Sequence, residues 1–299
     1  TPLFVYDEKH LRNRCRQAVA EFGEDGVVYA TKAFLCGAMA RLAHEEGLLL
    51  DVATGGELFA ATAAGVPAGR SVLHGNNKST DELRLAITSG VNHIIVDSFD
   101  ELDRLDALHA EGLPVPHVQL RITPGVHAHT HEFVSTGQDD SKFGFNLANG
   151  DAMRAIERAK SSSSVVLTGI HCHIGSNVLD ASLFAKASEV MVDLFRGLDL
   201  PELTLGGGLG VAYTAGDAAP TMREWADAVR SATASLPKGT KVRVEPGRSI
   251  VATAAVTVYT VGTVKRIGGI RDYIAVDGGM SDNPRPMMYG SPYEAFDPS

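Results

Sequence analysis

The chain has 299 residues, of which 44% are hydrophobic and 21% charged, a composition typical of a globular protein with a large core. Its net charge of −9 argues against binding to nucleic acid or anionic membranes, since such surfaces need a basic patch. No apolar run approaches the ~20 residues of a membrane span, and the N-terminus lacks the features of a signal peptide. The widely spaced Cys15, Cys36 and Cys172 form no disulfide or zinc framework, which favours a cytoplasmic location.

Apolar runs of strand length alternate with helical segments through most of the chain. A first run, PLFVYD, and a helix near residues 8–22 are followed by eight further runs, at 27–31, 48–53, 71–74, 93–97, 117–123, 165–172, 203–206 and 241–245. Continuous apolar strands that alternate with helices predict a parallel sheet. Eight such units predict an α/β protein with a (β/α)8 TIM barrel over residues 8–250.

Two of the intervening helices carry clear start signals. The segment STDELRLAITSG begins with Ser79, has Glu82 three residues later and closes on Gly90. The next segment repeats the pattern with Ser98 and Glu101. These signals support the predicted alternation of strands and helices.

The sequence changes character after residue 250. The segments IVATAAVTVYTVGTVKR and DYIAVDGGM are rich in Val and Thr and have no helix between them, which predicts antiparallel β structure. We expect residues 1–7 and 251–299 to form a second, partial β domain.

Chemically reactive side chains gather at the predicted carboxyl ends of the barrel strands, where barrel enzymes place their active sites. These ends carry Lys32, Asp51, HGNNK (74–78), Asp97, Arg121, HCHIGS (171–176), GGGLG (206–210) and EPGR (245–248). An amine, imidazoles, guanidinium groups, carboxylates and a glycine loop therefore meet on one face, which is more than a structural barrel needs.

Each of these features also has a structural interpretation. Lys32 is either a solvated lysine or a desolvated amine whose lowered pKa suits it to form a Schiff base. GGGLG is either a tight turn or a loop whose backbone N–H groups approach a phosphate, but it lacks the GxGxxG spacing of dinucleotide sites. Gly175 and Ser176 offer donors for another phosphate oxygen.

The segment EPGR combines a carboxylate and a guanidinium across a rigid turn. Glu245 would keep a pyridine nitrogen protonated, because a carboxylate favours the cationic form. Arg248 would hold a carboxylate or phosphate through two hydrogen bonds. The alternative is a surface salt bridge between the two.

Two histidine patterns raise the question of a metal. His171 and His173 share one strand face, because the side-chain period of a strand is two. The segment HAHTHE (127–132) has three alternating histidines. It follows Pro124-Gly125 on a long loop, which gives no fixed ligand face, so we expect a polar lid there and no metal.

An aldehyde for the lysine, a phosphate for the glycine loop and a pyridine nitrogen for the glutamate together describe pyridoxal 5'-phosphate. Six segments then resemble, in order, the signature segments of the diaminopimelate decarboxylase family, which belongs to the fold-type III, alanine-racemase-like pyridoxal phosphate enzymes. They are YATKAF, HEFVSTGQDDSKFGF, HCHIGS, GGGLG, EPGRSIV and VDGGMSDNPRPMMYGSPYEA.

The resemblance implies roles for individual residues. Lys32 would bond to the cofactor aldehyde, His173 would stack on the ring, and Glu245 would pair with the ring nitrogen. Asp51 is also expected to bind the cofactor. The phosphate would be held by Ser176, Gly207, Gly208, Gly247 and Arg248. Substrate carboxylates would be bound by Arg248, Arg285 and Tyr289, with a loop carrying Ser141 and Lys142 nearby.

The resemblance also implies a reaction, the decarboxylation of meso-2,6-diaminopimelate to L-lysine by a carboxy-lyase in lysine biosynthesis. An arginine at position 285 favours a substrate with a second carboxylate, whereas a distal amine would suit an acidic residue. We also expect a homodimer with active sites near the subunit interface, since the Val/Thr strands after residue 250 would otherwise leave long exposed edges. Family members continue through a Cys-Glu-Ser-Gly-Asp segment and a later tyrosine that have no counterpart here, so the resemblance names no proton donor in this sequence.

Three alternatives remain at the level of sequence. One is a related decarboxylase for ornithine, arginine or carboxynorspermidine. Another is a catalytically silent pyridoxal phosphate-binding protein, suggested by the absent C-terminal segment. The third is a metal-dependent barrel hydrolase built on the histidine pairs.

Overall fold

A computed structural model describes residues 1–126 and 140–297. The strands of this part are β1 (Leu3–Tyr6), β2 (Val28–Ala30), β3 (Leu49–Val52), β4 (Ser71–Leu73), β5 (His93–Val96), β6 (His117–Thr123), β7 (Phe145–Asn146), β8 (Val166–Cys172), β9 (Glu202–Thr204), β10 (Lys241–Arg243), β11 (Ala255–Val258), β12 (Val261–Ile267) and β13 (Arg271–Val276). The α-helices are α1 (Glu8–Phe22), α2 (Gly37–Glu45), α3 (Gly55–Ala63), α4 (Thr80–Ser89), α5 (Phe99–Ala110), α6 (Asp151–Ser161), α7 (Ala181–Phe195), α8 (Met222–Thr233), α9 (Arg248–Val251) and α10 (Arg285–Tyr289).

Eight parallel strands form a nearly closed barrel. They lie in the order β10-β9-β8-β6-β5-β4-β3-β2, and the short β7 pairs with β6. Backbone hydrogen bonds connect the two ends of this sheet. The N–H of Val28 donates to the oxygen of Val244 at 2.9 Å, and that of Ala30 donates to Pro246 at 3.1 Å. The predicted (β/α)8 fold is confirmed.

The strands are apolar on both faces because each face is covered. Outward side chains pack under the helices in one large cluster. Inward side chains form a smaller cluster, which consists of Val28, Leu49, Val72 and Ile95. Strand side chains repeat with a period of two, so residues two positions after this cluster also point into the barrel, at its carboxyl end.

The helix starts follow the predicted chemistry, with one difference. Ser79 and Glu82 form a complete capping box, and Gly90 ends α4 in the left-handed conformation, as predicted. Ser98 caps α5 by accepting from the N–H of Glu101. The carboxylate of Glu101 does not complete a second box, because its Oε2 accepts from the N–H of Asp97 at 3.0 Å and its Oε1 lies 2.7 Å from Nζ of the buried Lys78.

The segments after residue 250 form antiparallel pairs, as predicted. β11 pairs with β1, and β12 pairs with β13. Most of their side chains are exposed. The division into a barrel at 8–250 and a partial β domain remains a prediction. Among the described residues, no helix combines the length and apolar character needed to cross a membrane.

Candidate active site

Ionisable side chains meet at the carboxyl end of the barrel. Asp51, His74 and Asp97 each lie two residues after an inward-facing apolar residue of β3, β4 or β5, so they continue the inner face of the barrel. Glu245 follows β10, and Lys32 lies on a single helical turn after β2. The geometry places the groups where strand-end reasoning predicted them.

Lys32 presents its amine to the open mouth of the barrel. Its side chain is 61% exposed, and its Nζ lies 3.5 Å from Oδ2 of Asp51, which is only 2% exposed. The attraction of Asp51 raises the pKa of Lys32, outweighing the opposing effect of desolvation. The lowered pKa considered for Lys32 is therefore wrong, because the attraction of the neighbouring Asp51 outweighs the effect of burial.

Glu245 is a buried carboxylate held between two imidazoles. Its Oε2 lies 2.9 Å from Nε2 of His171, and its Oε1 lies 3.0 Å from Nε2 of His74. Burial alone would raise the pKa of Glu245, but the two histidines lower it well below its ordinary value. Burial lowers the pKa of His171. The site thus keeps an anionic carboxylate at its centre.

His173 has a fixed ring orientation. Its Nδ1 accepts a hydrogen bond from the backbone N–H of Gly207 at 3.2 Å. Desolvation, followed by the nearby Lys32 and Arg121, lowers the pKa of His173 well below its ordinary value. The ring is therefore neutral, and its proton lies on Nε2. A neutral flat ring suits the predicted stacking on a pyridine.

The glycine loop packs directly on neighbouring backbone. A Cβ at Gly207 would lie 1.9 Å from the oxygen of Glu245, and one at Gly208 would lie 2.1 Å from the oxygen of Gly175. Gly208 also has a φ of +109°, which side chains rarely adopt. Only glycine fits this close approach, which leaves the backbone, not side chains, facing the site.

The predicted phosphate residues from two other segments meet beside this loop. Nη2 of Arg248 donates to Oγ of Ser176 at 3.1 Å. Nε of Arg248 is buried and has no hydrogen-bond partner among the described residues. An unpaired buried donor is costly unless a ligand satisfies it, so this position fits an anionic group.

Two arginines converge on Tyr213, a residue that the sequence analysis did not single out. The Tyr213 hydroxyl accepts a hydrogen bond from Nη1 of Arg248. The guanidinium carbons of Arg248 and Arg285 lie 5.9 and 5.4 Å from the centre of its ring. The ring of Tyr289 lies 5.5 Å from Arg285. In the described part of the chain, no carboxylate forms an ion pair with either arginine.

Arg121, Lys142 and Phe143 border the same region. The guanidinium of Arg121 is buried. Its Nη1 lies 3.7 Å from Oδ1 of Asp97, and the guanidinium carbon lies 4.2 Å from the centre of the Phe143 ring. The carbonyl of Lys142 accepts from the side chain of Asn76 at 3.5 Å. This agrees with the expected position of the loop that carries Ser141 and Lys142. The segment HAHTHE at 127–132 lies outside the described residues.

His74, His171 and Glu245 also form a group with metal-ligand chemistry, and their ligand atoms lie within 4.8 Å of one another. The sequence had grouped His171 with His173 on one strand face. In the structure, His171 instead shares this group with His74, which follows β4. A buried carboxylate held ionised by two imidazoles equally fits a protonated pyridine nitrogen.

Comparison with known proteins separates these two interpretations. Residues 8–252 match the family model described as pyridoxal-dependent decarboxylase, pyridoxal binding domain. The chain belongs to the pyridoxal-dependent decarboxylase family. A curated diaminopimelate decarboxylase of Mycobacterium tuberculosis is 46% identical over 98% of this chain and 70% of the relative. One of Bacillus subtilis is 45% identical over 99% of this chain and 71% of the relative.

Solved structures of this decarboxylase family have the same fold. The diaminopimelate decarboxylase of Helicobacter pylori, solved with L-lysine, has a TM-score of 0.91 at 28% identity and covers 100% of this chain and 76% of its own. That of M. jannaschii, also with L-lysine, has a TM-score of 0.90 at 32% identity and covers 98% and 71%. The predicted family and cofactor are confirmed.

The site geometry independently fits pyridoxal phosphate. An accessible amine, a buried anionic carboxylate and an unpaired arginine nitrogen match an aldehyde, a pyridine nitrogen and a phosphate. Strand-end reasoning found the residues that supply them. The contacts of His74 and the position of Tyr213 were missed, because they depend on how distant strands and loops meet in space.

Proposed function

We propose that the protein decarboxylates meso-2,6-diaminopimelate and releases L-lysine and CO2. The observation that carries the choice of substrate is the pair of arginines around Tyr213, Arg248 and Arg285. Two guanidinium groups without carboxylate partners favour a substrate with an anionic group far from the reacting carbon. Ornithine and lysine end in an ammonium, which such a pair would repel.

The bound cofactor supplies an electron-accepting ring for the carbanion left by CO2. In this proposal the residues that hold the cofactor are Lys32, Asp51, His173, Ser176, Gly207, Gly208, Glu245, Gly247 and Arg248. Glu245 keeps the ring nitrogen protonated, because its own charge is maintained by His74 and His171. The neutral ring of His173 covers one face of the cofactor.

Lys32 and Asp51 form an ion pair at the aldehyde end of the cofactor site. The raised pKa of Lys32 means that its amine is an ammonium at neutral pH, and an ammonium cannot attack a carbonyl. Oδ2 of Asp51, 3.5 Å from Nζ, stabilises this ammonium, and because the Lys32 side chain is 61% exposed the proton can leave to solvent before the amine bonds to an aldehyde. In this proposal the catalytic residues are Lys32, His173 and Glu245, and Asp51 lies beside the amine of Lys32.

Substrate carboxylates are assigned to Arg248, Arg285 and Tyr289. Arg285 is oriented by stacking on Tyr213 and Tyr289 and by a 3.3 Å hydrogen bond to Oγ of Ser291. A guanidinium held in this way loses less side-chain entropy when it binds a carboxylate. The assignment explains why Arg285 lacks an internal acidic partner in the described residues.

The test compares substrates and one lysine variant. We expect CO2 and L-lysine from meso-diaminopimelate and at least about a hundredfold less CO2 from ornithine, since discarding a recognised carboxylate costs several kcal/mol. Borohydride should fix the cofactor on the wild type and on a Lys9→Ala control, and not on Lys32→Ala. Faster release of CO2 from ornithine, or cofactor fixation on Lys32→Ala, would contradict the proposal.

We also propose that the enzyme is a homodimer with active sites near the subunit interface. Support comes from apolar side chains that β11, β12 and β13 leave open to solvent, such as Val256, Val264 and Ile274, which are 48%, 48% and 61% exposed. Exposed strand surfaces of this kind are commonly covered by another chain. Light scattering at micromolar concentration should report a dimer, and a monomer would contradict this.

We also propose that the protein is cytoplasmic. Cys15, Cys36 and Cys172 are free thiols, which suits a reducing compartment. Fractionation of the source cells should recover the protein with cytoplasmic markers, and recovery in an oxidising compartment would overturn the assignment.

A further inference from the structure

His74 occupies an unusual position at the end of β4. Its side chain is buried, and its Nε2 lies 3.0 Å from Oε1 of Glu245 and 3.9 Å from Oδ1 of Asp51. The nitrogen is not aligned as a hydrogen-bond donor to either carboxylate in the described residues. One buried ring nitrogen therefore faces the space between two carboxylates.

The two carboxylates serve opposite ends of the site. Asp51 is 3.5 Å from the amine of Lys32, whereas Glu245 is 2.9 Å from Nε2 of His171. His74 connects these two pairs. The resulting chain of polar contacts runs through Lys32, Asp51, His74, Glu245 and His171.

The surroundings fix the position of the His74 ring. Its backbone N–H donates to the oxygen of Val52 at 2.7 Å, and its ring packs edge-to-face on His171 at 5.2 Å. The turn that follows is anchored by Lys78, whose Nζ donates to the oxygens of Gly75 at 2.6 Å and Ile95 at 2.8 Å. A side chain held by so many contacts is well suited to orient others.

The charged groups of this site come from several elements of the barrel. They are Lys32 after β2, Asp51 on β3, Arg121 on β6, His171 on β8 and Glu245 after β10. Two of them are carboxylates that lie against His74, so a proton on its Nε2 would be a donor placed between them. Without that donor, two buried carboxylates would lose part of their stabilisation.

We propose that His74 is a positioning residue whose Nε2, held between Asp51 and Glu245, donates to these carboxylates when the cofactor is bound, and so couples the amine end of the cofactor site to its ring-nitrogen end. The inference rests on the proposed function in one respect, the placement of Glu245 at the ring nitrogen. It adds a residue that acts through these carboxylates and does not itself touch the cofactor.

Two amide variants separate the bridging N–H from the bulk of the ring. The amide nitrogen of Gln reaches the position of Nε2, whereas that of Asn, one methylene shorter, reaches only that of Nδ1. His74→Gln should therefore restore what His74→Asn loses. His74→Leu removes the donor entirely, and His109→Gln on the outer helix α5 is the matched control.

The first measurement is the affinity of each apoprotein for pyridoxal phosphate. We expect His74→Asn and His74→Leu to weaken binding about tenfold, since a hydrogen bond to a charged group is lost. His74→Gln should stay within about threefold of the wild type, and His109→Gln should match it. Unfolding temperatures of the apoproteins show whether each variant folds, and if His74→Leu does not, the Gln and Asn pair decides.

The second measurement is the pH at which the absorbance of the bound cofactor changes. Loss of the donor makes the surrounding carboxylates hold nearby protons more tightly, so this transition should move up by about one pH unit in His74→Asn and His74→Leu. The transition in His74→Gln should stay close to that of the wild type. A purely structural role would lower the unfolding temperature without moving this transition.

Either of two results would overturn the bridge. One is His74→Asn behaving as the wild type in both measurements, and the other is His74→Gln behaving no better than His74→Asn. Neither measurement needs a substrate. A wild type that binds and titrates the cofactor as expected, yet releases no CO2 from diaminopimelate, would therefore refute the proposed function and leave this inference standing.

Discussion

Single residues in this site are controlled more by their neighbours than by their own burial. Glu245 is buried, and burial by itself would neutralise it, yet His74 and His171 keep it anionic. Lys32 shows the same balance, because Asp51 raises its pKa against the effect of desolvation. In both cases a contact at 2.9–3.5 Å decides the charge.

Tyr213 provides a prediction at this scale. Tyr213→Phe keeps the ring that lies against Arg248 and Arg285 but removes the hydroxyl that accepts from Arg248. We expect kcat/KM for diaminopimelate to fall about tenfold, mainly through a higher KM, because a hydrogen bond to a charged group is worth roughly 1.5 kcal/mol. Tyr213→Ala should cost more, because it also removes both ring contacts.

Steady-state kinetics with cofactor-saturated enzyme checks this expectation. The matched control is Tyr273→Phe, which removes a hydroxyl from an exposed tyrosine on β13. Identical KM values for the two variants would show that Tyr213 does not order the arginines.

The sequence predicted part of this chemistry. Lys32, Asp51 and Glu245 were identifiable because each lies at or just after the end of an apolar strand, and strand ends of a barrel meet at one rim. The contact of His74 with Glu245 could not be predicted, because it joins the end of β4 to the segment after β10. No local sequence pattern indicates which strands face each other across a barrel. Tyr213 lies on an irregular loop whose path the sequence does not specify.

At the scale of elements, helix-capping signals in the sequence predicted the structure correctly where both interacting groups belong to the same helix turn. Ser79 and Glu82 form the predicted capping box because both groups belong to the same helix turn. Glu101 has the same spacing from Ser98 but binds Lys78, since a buried ammonium 2.7 Å away competes for the carboxylate. The two-residue strand β7 was missed because so short a pairing has no periodicity to detect.

At the scale of the whole molecule, the barrel contains a second polar network, built on its strands away from the catalytic rim. The carboxylate Oε2 of Glu202 on β9 lies 2.9 Å from Nε2 of His93 on β5, 2.9 Å from the amide of Gln119 on β6 and 3.1 Å from Nη1 of Arg243 on β10. Thr204 donates to the same Gln119 at 2.8 Å. Polar groups this deep must satisfy one another, so the network links strands that are not neighbours.

This network predicts how the stability of the molecule depends on pH. Burial alone would raise the pKa of Glu202, but His93, Arg243 and Gln119 hold it at about 2, below its ordinary 4.5. Because the folded-state pKa is lowered, the stabilisation is fully present above pH 4.5 and is lost as the pH falls towards 2. After allowance for partial solvent screening, its size is about 2 kcal/mol.

We therefore expect Glu202→Gln to lower the free energy of unfolding by about 2 kcal/mol at pH 7, and this difference from the wild type to shrink as the pH is lowered below 4.5. Urea denaturation of the apoproteins across this pH range measures it, with Glu157→Gln on the surface of α6 as the control. A difference that stays constant from pH 7 to the acid limit of folding would show that Glu202 stabilises the barrel by packing alone. Because the network lies apart from Lys32 and Glu245, cofactor binding at pH 7 should be unchanged in Glu202→Gln, which separates the stability of the barrel from the chemistry at its rim.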